Sequence, residues 1–306
     1  MSKYKKVIIA VVIVFFLVPT LMFSGSRYFL NRGVELMDES PEEARKNLDR
    51  AAKLNPFCGE VYGYIARTMY DTGKLEGTPQ YGKVDVDEDV LRKYEKALEK
   101  GMSQRWVYED LGTIFYNKSI YYGAYLGDLE TAKDKLEKAK EYLTEANRIE
   151  EDEYDYYKIG YMYLEVLSDF EEAKNYFEIA KNVNPDYSYP YAGIGHVYMR
   201  QGNYTEALNY LEEAKEIEPN PFIYSGLAYT YLRITDNYRV AIPYYREILD
   251  LDPDYLGAYY NLAVSYKRIG DEDGALYYLN ELRDRDSAGT FTQRVENSTT
   301  LQDLLN

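Results

Sequence analysis

Residues 188–219 read SYPYAGIGHVYMRQGNYTEALNYLEEAKEIEP, and this stretch decides the fold. Tyr191, Ile194, Gly195 and Tyr198 fall at i, i+3, i+4 and i+7, which is one face of an α-helix. Gly202 and Asn203 mark a turn. Ala207, Leu211 and Ala214 then form a second apolar face, and Pro219 ends it, because proline cannot continue a helix and pushes the residue before it toward extended backbone. Gly195 and Ala207 are small where two antiparallel helices would cross closely. Tyr191, Tyr198 and Leu211 are large where one helix pair would fill the space against the next. A single hairpin cannot bury its apolar face, so the pattern predicts a stack.

The same pattern returns at a spacing of roughly 34 residues. The first-helix positions recur as Tyr156, Ile159, Gly160 and Tyr163, as Tyr224, Leu227, Ala228 and Tyr231, and as Tyr259, Leu262, Ala263 and Tyr266. The second-helix positions recur as Ala173, Phe177, Ala180 and Pro185, as Ala241, Tyr245, Ile248 and Pro253, and as Ala275, Leu279 and Leu282, with Ser287 where the last proline would stand. This arrangement of aromatic, Leu-Gly, Tyr, Ala, Leu or aromatic, Ala and Pro resembles the tetratricopeptide repeat family.

The resemblance continues upstream with departures. Ala44, Leu48, Ala51 and Pro56 match a second helix whose first helix offers only Gly33 and Leu36. Tyr62, Ile65, Ala66 and Met69 open another hairpin, with a swollen turn over 74–85 and a second helix expected over 86–100. Tyr108, Leu111, Gly112 and Phe115 open a third, elongated hairpin. Its first arm can run to about Tyr125, and its second carries Leu129, Ala132, Leu136, Ala139, Leu143 and Ala146. The expected hairpins are therefore 27–56, 59–102, 105–150, 153–187, 188–220, 221–254 and 255–286. The resemblance implies an all-α fold, a right-handed superhelical solenoid of about seven antiparallel hairpins. The tail 287–306 is polar. Thr300 and Asp303 form a weak capping box before Leu304 and Leu305, leaving a short capping helix or disorder as alternatives.

The N-terminus is different in character. Residues 1–6 carry Lys3, Lys5 and Lys6, and residues 7–23 carry no charge. Seventeen helical residues reach about 26 Å, the lower limit for the hydrocarbon core. The expectation is one transmembrane signal-anchor over 7–23, with the basic end cytoplasmic and the repeats outside the cytoplasm. The alternative is a signal peptide cleaved near Ser24-Gly25-Ser26, giving a secreted protein.

Composition narrows the function. The net charge of −16 argues against nucleic acid as a partner, since phosphate neutralisation needs clustered Lys and Arg. Tyrosine occurs 37 times against 10 Phe and 1 Trp, and its ring buries area while its hydroxyl still reaches a polar partner. Cys58 is alone, so no intramolecular disulfide forms, and it reads as a small apolar filler. One histidine, His196, and one cysteine supply neither a zinc site nor a Cys-His nucleophile. No Gly-rich phosphate loop is present. Asp85, Asp87 and Asp89 alternate like a calcium loop, but Val90 and Lys96 stand where that loop needs Gly and Glu, so a helix-start role is preferred. Asn117, Asn203 and Asn297 open glycosylation-type triplets. No cofactor, metal site or catalytic set is expected. A hydrolase built on scattered carboxylates is the least favoured reading among 52 acids.

The resemblance implies that the first helices line a concave groove that takes a peptide or a helix of a partner protein. Positions one and five after each leading Tyr are then Tyr157 and Tyr161, Ala192 and His196, Ser225 and Tyr229, and Tyr260 and Val264. Arg200, Arg233, Lys267 and Arg268 follow one turn later, either as helix-end charges or as a basic rim for acidic groups. The paired Lys and Asn of the carboxylate-gripping members are absent, since Lys158 and Asn261 lack the spacing. Two readings follow: a membrane-tethered scaffold with a Tyr-rich groove, or a structural subunit of a membrane or secretion complex that assembles through its long hairpin.

Overall fold

A computed structural model describes residues 18–75, 88–235 and 237–286, with residues 295, 298, 300 and 301. Among these residues the regular structure is entirely helical. The chain divides into two compact units, residues 1–151 and 152–306.

The first unit holds three hairpins. Helix α1 (Val18–Glu35) pairs with α2 (Pro41–Leu54), α3 (Gly59–Leu75) with α4 (Glu88–Glu99), and α5 (Arg105–Ile120) with α6 (Leu129–Ile149). The second holds four. Helix α7 (Glu153–Met162) pairs with α8 (Phe170–Val183), α9 (Ser188–Arg200) with α10 (Tyr204–Ile217), α11 (Pro221–Thr235) with α12 (Tyr238–Leu251), and α13 (Leu256–Arg268) with α14 (Glu272–Arg285).

The helix crossings explain the small residues. A Cβ on Gly195 would lie 2.8 Å from Leu211 Cγ and 3.3 Å from the Ala207 carbonyl oxygen, so only glycine admits this approach. Gly33 does the same against Leu48 Cγ at 2.7 Å, which makes it the crossing residue of the otherwise poorly patterned first hairpin. The second-helix alanines Ala173, Ala207, Ala241 and Ala275 are fully buried.

Tyrosine closes each hairpin of the second unit. A ring late in the first helix stacks on a ring of the second: Tyr163 on Tyr176, Tyr198 on Tyr210, Tyr231 on Tyr244 and Tyr266 on Tyr278, at centroid distances of 5.6, 5.6, 5.4 and 5.4 Å. In the elongated hairpin Phe115 stacks on Tyr142 at 5.8 Å. The hydroxyls also work. Tyr191 and Tyr259 donate to the carbonyls of Pro185 and Pro253 in the loops before them, at 3.1 and 2.8 Å. Lys174 donates to the Tyr198 hydroxyl at 2.8 Å, and this bond holds the Lys174 amine above its ordinary pKa.

Turn chemistry sets the boundaries. Gly202 and Gly270 take positive φ after α9 and α13, where a side chain would be strained. Asp128, Asp169 and Asp271 accept from backbone N–H groups at the starts of α6, α8 and α14. Hairpin 153–187 lacks the glycine, and there α7 ends in a π-helical turn, Tyr163–Leu167, with Ser168 forced to φ 52°. A second π-helical turn, Tyr121–Tyr125, finishes the long α5.

The first hairpin and the tail differ from expectation. Helix α1, described from Val18, continues unbroken past Arg27 instead of starting there, and it places Ser26 and Leu30 in the core. The second helix of the second hairpin, expected over 86–100, is described from Glu88. Residues 76–87, with the swollen turn, Asp85 and Asp87, lie outside the described residues, while Asp89 sits in the first turn of α4. The tail is not wholly polar in role: Val295 and Leu301 are buried against Tyr259, Ala263, Leu279 and Leu282. Among the described residues no helix is long and apolar enough to cross a membrane, and residues 7–17 of the expected anchor lie outside them.

Candidate protein-binding face

The first helices of the second unit carry the candidate residues. A ring network spans three of them. Tyr157 on α7 lies 6.0 Å from Tyr161, 5.5 Å from Tyr189 of α9 and 5.7 Å from Phe177 of α8. Phe222, at the start of α11, reaches Tyr161 at 6.4 Å and stacks on Tyr189 at 6.2 Å and on His196 at 4.3 Å. Such ring pairs contribute about 0.5–1.5 kcal/mol each beyond the area they bury.

This packing corrects part of the predicted groove. Tyr157 is only 8% exposed, surrounded by rings, and is a core residue rather than a wall. Ala192 is fully buried. Lys158 is buried in α7 with its ammonium 2.8 Å from Asp155. His196 is half-buried, and its Nε2 is sealed without a hydrogen-bond partner against the Cα side of Gly226. Burial first, and the nearby Arg200 charge second, lower its pKa to about 4, so the ring is neutral at physiological pH.

Other predicted residues lie outside this packed core. Tyr161 and Tyr260 are half-buried and Tyr229 is 47% exposed. The four cations sit at helix ends, and each has a partner within the chain. Arg200 reaches Glu165 at 3.4 Å and Ser168 at 3.3 Å, and Lys267 reaches Glu272 at 2.8 Å. Arg233 donates to the Tyr204 hydroxyl at 3.1 Å, and Arg268 to the Thr300 hydroxyl of the tail at 3.1 Å. They tie neighbouring turns together more than they form an unoccupied rim.

Phe222 and Tyr189 were missed by the sequence reading. The signal was there: Phe222 lies three residues before Ser225 and seven before Tyr229, and Tyr189 three before Ala192 and seven before His196. Carrying the same helical face one turn toward the N-terminus finds both. A separate open cleft of about 890 Å³ lies at α10, lined by Pro185, Asp186, Tyr191, Glu212, Glu213 and Glu216 among others. Among the described residues no group of three or more His, Cys, Asp or Glu is placed to hold a metal ion.

Family models described as tetratricopeptide repeat match residues 156–187, 188–221 and 226–290. Over residues 156–290 the chain carries tetratricopeptide repeats. No curated protein matches the sequence. Solved structures with this repeat fold include a tetratricopeptide repeat protein from Parabacteroides merdae, at 16% identity and a TM-score of 0.63, covering 92% of this chain and 100% of that one. PilF of Pseudomonas aeruginosa is similar at 15% identity and a TM-score of 0.53, covering 82% and 99%. Yeast Tom70 is similar at 18% identity and a TM-score of 0.50, covering 94% and 58%. At these identities the likeness shows the fold alone.

Proposed function

We propose that the repeats hold a peptide segment or helix of a partner protein on the first-helix face of the second unit, as a non-enzymatic scaffold. In this reading residues 7–23 tether the chain to a membrane and the repeats stand outside the cytoplasm. The observation that carries the binding role is Tyr229, a large ring left 47% exposed on the face where Phe222 and Tyr189 are already packed. An aromatic held by a rigid helix gives a partner contact area at little entropic cost. Half-buried Tyr161 and Tyr260 extend the same kind of surface on α7 and α13. Capture of the partner by the detergent-solubilised chain tests this. Tyr161→Ala with Tyr229→Ala should abolish it while the helical content stays, and unchanged capture would remove the face from the account.

A second reading has its own observation. The elongated α5–α6 hairpin ends in Leu126 and Leu129, 56% and 59% exposed. Exposed apolar residues at a hairpin tip suit assembly with another subunit. Leu126→Ser with Leu129→Ser should dissolve such a complex and leave partner capture by the second unit intact.

A further inference from the structure

Helix α1 runs from Val18 to Glu35 without a break, and its two ends have different surroundings. From Gly25 on, the helix belongs to the first hairpin. A Cβ on Gly25 would lie 3.2 Å from Leu54 Cδ1, and Ser26, 3% exposed, donates from Oγ to the Ala51 carbonyl at 3.0 Å. Leu30 follows in the core with Leu48, Ala51, Val61 and Ile65. Leu54 is the last residue of α2, and the two helices are antiparallel, so residues 18–24 run past the end of that partner. Seven residues, 18–24, project by about 10 Å.

The projecting turns are apolar where they should be polar. Met22 and Phe23 are 39% and 65% exposed. They continue the stripe of Ser26, Phe29 and Leu30 at helical spacing and stay exposed among the described residues. The sequence before them, from Val7, is uncharged and apolar. Such a stripe, joined to an apolar run of that length, fits hydrocarbon better than water.

Resting on the tether proposed above, we infer that α1 is a rigid strut that enters the lipid bilayer directly from the first hairpin, with Met22 and Phe23 in lipid and Gly25-Ser26 as the packed junction. Two residues separate Phe23 from Ser26, too few for a flexible linker. The first hairpin is therefore seated on the lipid surface. The small residues that read as a cleavage site serve helix packing instead: cleavage after Ser26 would remove the residue bonded to Ala51 and the close approach at Leu54.

The test uses the full chain with Cys58→Ala, reconstituted in phosphatidylcholine–phosphatidylglycerol vesicles, with spin labels on cysteines replacing Phe23 and Lys46. The strut predicts that label 23 collides with oxygen and is shielded from a water-soluble nickel chelate. It also predicts a narrow distribution of distances between the two labels. Vesicle-bound protein whose label 23 is water-exposed, or whose distance distribution is broad, overturns the strut and leaves the tether standing. Protein that fails to float with vesicles overturns the tether and the strut together. A chain recovered from expressing cells with its N-terminus at Gly25 or Arg27 overturns the junction assignment.

Discussion

His196 offers a clean titration, because it is the one histidine of the chain. Its ring stacks on Phe222 at 4.3 Å, and its Nε2 is sealed without a partner. Charging the ring buries a cation beside Arg200, so the folded pKa falls from 6.5 to about 4. The unfolded chain therefore binds this proton more readily than the folded one. The stabilisation is fully present above pH 6.5 and is lost as pH falls toward 4. At 1.36 kcal/mol per pH unit, the loss from this group is about 2 kcal/mol between pH 7 and 5, and about 3 kcal/mol by pH 4. Acidic residues add their own pH dependence, so the informative quantity is a difference. Urea unfolding at pH 7 and pH 5 should cost the wild type about 2 kcal/mol more than His196→Phe, which keeps the stack and removes the titration. The imidazole resonances of the native chain should stay in the neutral form to below pH 5. A midpoint near 6.5, or equal losses in both proteins, would refute the sealed-ring reasoning.

Other outcomes follow from the same geometry. Gly195→Val drives a branched side chain into Leu211 and should destabilise the α9–α10 hairpin by about 1–3 kcal/mol, read by hydrogen exchange of the α10 amides. Tyr259→Phe removes the donor to the Pro253 carbonyl and should cost about 0.5–1.5 kcal/mol, measured by urea midpoint, with the ring packing kept. Leu301→Ala empties a fully buried site against α13 and α14 and should cost about 2–5 kcal/mol locally, seen as faster exchange in α14 before α10 is affected.

The repeat architecture was legible where residue type and spacing both carry information. Gly195, Ala207 and Leu211 encode a crossing, and Gly202 a turn, so the second unit could be drawn from its period. The first hairpin was harder, since its first helix overlaps an apolar run and periodicity fades when every residue is apolar. Only the packing of Ser26 on Ala51 shows that residues before Arg27 belong to the first hairpin. The π-helical turns at Tyr121–Tyr125 and Tyr163–Leu167 left no pattern, because one inserted residue shifts the register without changing composition.

The candidate face was half legible. Spacing from each leading Tyr located Tyr161 and Tyr229, but it also selected Tyr157 and Ala192, which the stack buries. Periodicity gives the direction of a side chain and not what arrives opposite it. Phe222 is the case in point: it comes from α11, yet its ring lies within 6.4 Å of Tyr161 on α7 and covers what spacing alone leaves open. The cations were located correctly as helix-end residues, while their partners Glu165, Tyr204, Glu272 and Thr300 come from other elements and cannot be read from local sequence.

A partner segment held on the first-helix face of the second unit would lie within crosslinking reach of Tyr229. A photo-reactive phenylalanine analogue placed at Tyr229, in the full chain in its membrane, tests it most directly. The control position is Tyr277 on α14, 58% exposed on a second helix. The account predicts one discrete protein adduct at position 229, suppressed by Tyr161→Ala, and none at 277. Adducts at 277 alone, or equal labelling at both positions, would contradict it.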